Sequence, residues 1–137
     1  MKNTKDFILK IRFLIIAILI SFFIQFSIRF LSLNSAITKV KKKSVLYLSK
    51  NDPIESINRI NIWYGSLNKF LRIESCLVNS LIKKLIFSYF GHDLEVVCGV
   101  RLDSESKIEG HAWLCYKKNI VFEDKDTLKS YTESFRV

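Results

Sequence analysis

Between Phe13 and Ile28 the chain reads FLIIAILISFFIQFSI, sixteen residues with no proline, glycine or charge and only Ser21, Gln25 and Ser27 to interrupt its apolar character. Nothing in it breaks a helix. At about 1.5 Å per residue such a helix spans roughly 24 Å, short of the ~30 Å hydrocarbon core of a bilayer. Extension through Arg29 to Leu33 supplies the missing length if the arginine snorkels. Three fates compete. A signal peptide accounts for Lys2, Lys5, Lys10 and Arg12 ahead of an apolar core, but Asn34-Ser35-Ala36 is a poor cleavage site. A core helix packed on the rest of the domain is the second. A helix spanning or lying on a membrane is the third and ranks first, because Lys39, Lys41, Lys42 and Lys43 follow it and anionic headgroups attract them. Since both flanks are basic, charge does not set an orientation.

The formal net charge of +9 is confined to one half of the chain. Residues 1–75 hold 13 Lys and Arg against 4 Asp and Glu, whereas residues 76–137 hold 9 of each. A basic half next to an apolar stretch suits a membrane surface or an acidic peptide and disfavours nucleic acid. With 137 residues the chain has room for one domain with its own core. Cys76, Cys98 and Cys115 cannot all pair and show no C-x-x-C spacing, so a reducing, cytoplasmic setting is expected, at the inner face of the cell membrane if residues 13–33 associate with it.

Residues 1–44 read as an apolar, basic helix and linker, and residues 45–137 as the domain. The charge run Lys39–Lys43 is expected to be a solvated or headgroup-facing linker. After the short apolar run Val45–Leu48, Ser49-Lys50-Asn51-Asp52-Pro53 is a break with proline at a first helical position. The spacing of Ile54, Ile57, Ile60 and Tyr64 predicts a helix to about Tyr64, closed by Gly65.

From Ser75 the spacing becomes more regular. Leu77, Leu81, Ile82, Leu85, Ile86 and Tyr89 predict an amphipathic helix with Ser75 as N-cap and Gly91 beyond its end. Cys76 then stands in the first turn, where unpaired N–H groups and the positive helix end favour thiolate. Leu94–Val100 is a β-branched run that predicts a buried strand, Gly110–Tyr116 a second, and Ile120–Phe122 a third after the turn Lys117-Lys118-Asn119. Glu123 and Asp124 follow directly. A thiol at a helix start, a histidine on a strand and a carboxylate at the end of the neighbouring strand are the parts of a nucleophilic triad. In it His111 takes the thiol proton and later protonates the leaving group, the carboxylate orients the ring, and helix-start N–H groups, that of Cys76 among them, stabilise the oxyanion.

Cys76-Leu77, Ser80-Leu81 and Leu85, then Gly91, then Gly99-Val100-Arg101 with Asp103, then Gly110-His111-Ala112-Trp113 and a carboxylate resemble the leader-cleaving B proteins of lasso-peptide biosynthesis. These belong to the transglutaminase-like superfamily, in the group of the microcin-processing protein's C-terminal domain. The resemblance covers roughly residues 60 to 137. It implies an α+β, papain/transglutaminase-like cysteine peptidase domain in which a few helices precede a small antiparallel sheet. It also implies removal of the leader from a ribosomally made lasso precursor. The implied partners are that precursor, a separate PqqD-like leader-recognition protein and an asparagine-synthetase-like cyclase. The family's third residue is usually an aspartate about a dozen positions after the histidine. Glu123 sits at the ungapped spacing; Asp124 takes the role if the Lys117-Lys118-Asn119 turn carries one extra residue, and is favoured here.

No cofactor is expected, and no glycine-rich phosphate loop is present. His92 reads as a solvated turn residue, and Cys98 and Cys115 as core side chains; their spacing to His111 matches no zinc pattern. Trp113, two residues from His111, shares its strand face. A non-catalytic, membrane-associated scaffold of the maturation complex and an amidase or acyltransferase with the same triad are the alternatives to the peptidase.

Overall fold

A computed structural model describes residues 2–50, 52–53 and 55–137, without the side chains of residues 2 and 3. Four helices come first: α1 (Lys2–Phe30), α2 (Leu33–Lys50), α3 (Ile57–Leu71) and α4 (Cys76–Tyr89). A four-stranded antiparallel sheet follows, from β1 (Leu94–Leu102), β2 (Ile108–Tyr116), β3 (Asn119–Val121) and β4 (Thr132–Arg136), with the one-turn helix α5 (Lys125–Leu128) before β4. The strand order is β3-β2-β1-β4. The expected α+β class and small antiparallel sheet are what is found.

α4 is the central element. Leu81, Ile82, Leu85, Ile86 and Phe87 are fully buried, and together with Leu94, Val96, Ala112 and Leu114 of the sheet they form one core. Its start and end follow the sequence signals. The Ser75 hydroxyl accepts the N–H of Val78, and Gly91 takes φ +86° just past the cap residue Phe90.

The amino-terminal half differs from expectation in three ways. The residues expected as a linker, Lys39–Lys43, are helical within α2, where Val40 is buried and Lys39 and Lys43 lie over the Phe23 ring. Burial of one face outweighs the density of charge on the other. α3 begins at Ile57, not at Pro53, because Ser56 is a working N-cap that accepts the N–H of Arg59. Ile54 lies outside the described residues. Gly65 does not end α3, which runs on to Leu71 and stops at Arg72 in the left-handed conformation. Tyr64 and Leu67, both buried, hold the helix together across the glycine.

α1 packs on the core along one face, as the second of its expected fates has it. Phe13, Ala17, Ile20 and Ile24 are buried in the same core as α4, with the Phe13 ring 5.3 Å from Trp63 and 5.9 Å from Phe90. The opposite face leaves Phe7, Ile11, Ile15, Leu19, Phe22 and Phe26 exposed at helical spacing. By length and composition Thr4–Phe30 is sufficient to cross a membrane.

Gly65 within α3 and Gly91 just past α4 predict opposite effects. A Cβ on Gly91 would stand 2.6 Å from the Asp52 carbonyl carbon at a positive φ, so Gly91→Ala is expected to cost about 2 kcal/mol or more. A Cβ on Gly65 meets nothing within 4 Å, so Gly65→Ala is expected to stabilise by roughly 0.5–1 kcal/mol. Denaturant midpoints of the two variants test both signs.

Candidate active site

Cys76 is the first residue of α4, half-buried, with its sulfur unpaired. Ser75 caps the helix through the Val78 N–H, and the Ser75 carbonyl accepts the N–H of Asn79. No partner takes the backbone N–H of Cys76 or Leu77 among the described residues. The thiol therefore sits among free donors at the positive end of a fourteen-residue helix.

β2 carries His111 to this helix start. The Ser80 hydroxyl, one turn along α4, donates to the Ala112 carbonyl at 3.3 Å and ties helix to strand beside the histidine. Cys76, His111 and Glu123 line one cavity of about 200 Å³, together with Asn79, Ser80 and Lys83. Cys76 and His111 also line a second, more apolar cleft of about 270 Å³ with Leu77, Cys98, Val100 and Phe135.

His111 Nε2 lies 2.7 Å from Glu123 Oε2. With the carboxylate as acceptor, Nε2 carries the hydrogen and Nδ1 remains the nitrogen able to accept a proton. The ring stacks on Trp113 at 6.2 Å, as the shared strand face predicts, and Tyr131 stands 5.5 Å away.

Of the two candidate carboxylates, Glu123 and not the favoured Asp124 lies against His111. Asp124 caps α5 by accepting the N–H of Asp126, and Glu123 is the carboxylate on His111. The reason is the turn before it. Tyr116 pairs directly with Asn119, so the hairpin loop is the two residues Lys117 and Lys118, both at positive φ, and no extra residue shifts the register. Phe122 then adopts φ 68°, an uncommon conformation for an aromatic residue, and its chain reversal sets Glu123 beside β2.

His92 is corrected as well. It is buried rather than solvated: Nε2 donates to the Glu55 carbonyl, and the ring packs edge-on against Phe87 and Tyr116. It braces the segment before α3 and stands apart from the cavity. Cys98 and Cys115 are core side chains, as expected. Burial, with a contribution from Cys76, pushes the Cys98 thiol up to about 11, so it remains a neutral neighbour of the half-buried Cys76 thiol. No group of three potential metal ligands occurs among the described residues.

Two cavity residues escaped the sequence reading. Asn79 and Lys83 follow Cys76 by three and seven positions and so share its helix face. Lys83 is held by Asn61 Oδ1 at 3.2 Å and lies over the Tyr64 and Phe122 rings. Burial lowers its pKa while the charge of Glu123 raises it in part. That periodicity was available in the sequence; what was missing was a chemical reason to apply it to polar residues.

The family model described as the transglutaminase-like superfamily matches residues 20–136. No curated protein and no solved structure matches the chain.

The pairing with His111 separates the two carboxylates by experiment. Glu123→Gln is expected to lower Cys76-dependent hydrolysis of p-nitrophenyl acetate about 10²-fold or more, since ring orientation and imidazolium stabilisation are both weakened. Asp124→Asn, which keeps an N-cap oxygen, is expected to stay within about threefold of the parent.

Proposed function

The chain belongs to the transglutaminase-like superfamily, and we propose that it is a cysteine peptidase removing the leader from a ribosomally made lasso-peptide precursor. Members of the superfamily commonly act as cysteine proteases or acyl transferases. The observation that carries the proposal is the cavity shared by a helix-start thiol and a His111–Glu123 pair 2.7 Å apart. The narrower choice of substrate rests on the motif order from Cys76-Leu77 through Gly110-His111-Ala112-Trp113 described above.

In this reading His111 Nδ1 accepts the thiol proton, and the Cys76 sulfur attacks the scissile carbonyl carbon. The carbonyl π pair moves to oxygen, where helix-start N–H groups receive it. Collapse expels the amine with the proton held by His111, leaving a thioester. Water, deprotonated by the same ring, then releases the leader's new carboxylate. Glu123 keeps Nε2 protonated and the ring in plane throughout. The new amino terminus is the group an asparagine-synthetase-like cyclase would join to an acidic side chain. A PqqD-like protein would present the leader in trans.

The outward face of α1 supports a membrane location at the inner leaflet. Phe7, Ile11, Ile15, Leu19, Phe22 and Phe26 are exposed while Phe13, Ala17, Ile20 and Ile24 are committed to the core, which suits a helix lying in the interface better than one crossing it. Basic residues before and after the stripe complement anionic headgroups. Co-sedimentation with anionic vesicles, lost in Leu19→Glu/Phe22→Glu, is the expected result; equal recovery of parent and variant in the supernatant would remove the membrane from this account.

The enzymatic proposal is tested by mass spectrometry of an authentic precursor incubated with its leader-binding partner and either the parent chain or Cys76→Ala. Cleavage by the parent alone is expected, with complex formation retained by the variant. An intact precursor in both reactions, with the complex formed, would instead favour the non-catalytic scaffold.

A further inference from the structure

We infer that Asn79 is a second oxyanion donor, its side-chain amide acting with the Cys76 N–H on the oxygen of the tetrahedral intermediate. The inference rests on the cysteine-peptidase reading above and extends it to a residue that neither the triad nor the sequence motifs assign.

One turn beyond Cys76 on α4, Asn79 lines the same cavity as Cys76, His111 and Glu123. Its Oδ1 is 2.6 Å from the hydroxyl of Tyr64. Tyr64 is 1% exposed, and burial holds its phenol well above the usual range, so the hydroxyl stays protonated. A buried hydroxyl needs an acceptor, and among the described residues Asn79 Oδ1 is the one it has. The amide orientation is thereby fixed with oxygen toward α3 and nitrogen away from it. Nδ2 keeps two hydrogens without a protein partner among the described residues, on a half-buried side chain at the cavity wall.

An amide whose oxygen is occupied and whose hydrogens are free is a preorganised donor. The backbone donor of Cys76, three positions earlier on α4, is also without a partner among the described residues. Tyr64 is a positioning residue in this scheme: it touches no reacting atom and acts by preventing rotation of the amide. Lys83, over the Tyr64 ring at 5.5 Å, lines the same cavity.

The test uses the full chain, p-nitrophenyl acetate turnover and, separately, alkylation of Cys76 by iodoacetamide, which forms no oxyanion. Asn79→Ala is expected to lower kcat about 10²–10³-fold with KM little changed, while the alkylation rate stays near that of the parent. Asn79→Asp keeps the acceptor for Tyr64 but has no donor hydrogens, so a donor role predicts a loss as large as for Ala. Tyr64→Phe is expected to cost about tenfold in kcat by freeing the amide to rotate. Full activity in Asn79→Asp would show that the residue only holds Tyr64 and would overturn the assignment. So would Asn79→Ala within about threefold of the parent, with Cys76 still active. A parent protein in which Cys76 is neither alkylated ahead of Cys98 nor needed for turnover would overturn the peptidase reading and this assignment with it.

Discussion

The packing of α4 against β1 and β2 is the constraint on which the rest depends. Leu81, Ile82, Leu85 and Ile86 of the helix meet Leu94, Val96, Ala112 and Leu114 of the sheet with no exposed apolar remainder on the helix side. Such a contact has little freedom to slide, because close-packed side chains admit few alternative registers. The Ser80 bond to the Ala112 carbonyl pins that register next to His111. The thiol at the helix start and the imidazole on the strand are thus fixed by core packing, and the candidate site inherits its precision from hydrophobic contacts that carry no chemistry themselves.

The helical layer has a second purpose in the same arrangement. α1, α2 and α3 cover the outer side of α4, and each contributes to a single core. Tyr64 reaches from α3 to Asn79, and Asn61 from α3 to Lys83. These polar bonds run from a supporting helix to the cavity wall, so the orientation of the cavity's side chains depends on a helix that supplies none of Cys76, His111 and Glu123. Gly91 makes the return from α4 to the sheet close enough for His92 to clasp Glu55 just ahead of α3.

What could be read from the sequence follows what the local signals encode. Ser75, the apolar spacing of α4 and Gly91 are all local, and they gave the helix, its cap and the place of Cys76. The β-branched run at Leu94 and the Gly110–Tyr116 run gave two strands within two residues at their ends. The place of β4 was not read, because Thr132–Arg136 is exposed along its length and is ordered by pairing with β1. The extra length of α3 escaped for the related reason that burial of Tyr64 and Leu67 offsets a glycine whose local preference is unfavourable. Solvation of His92 was the wrong expectation since its burial depends on a carbonyl 37 positions earlier in the chain.

The choice between Glu123 and Asp124 shows how a single backbone detail decides which carboxylate meets the imidazole. A two-residue loop at positive φ usually prefers asparagine or glycine, and Lys117-Lys118 carries neither, so the sequence advertised a looser turn than the one that forms. The pairing of Leu114, Cys115 and Tyr116 with Val121, Ile120 and Asn119 supplies the compensation, and the left-handed Phe122 completes the reversal. The Phe122 ring stacks on Phe87 of α4 at 5.5 Å, so the strained residue is anchored to the same helix that carries Cys76. Glutamate, one methylene longer than aspartate, spans from that anchored turn to His111 Nε2. The thiol and the carboxylate are in this way both referred to α4, one through its first residue and the other through the aromatic side chain packed on its fourth turn.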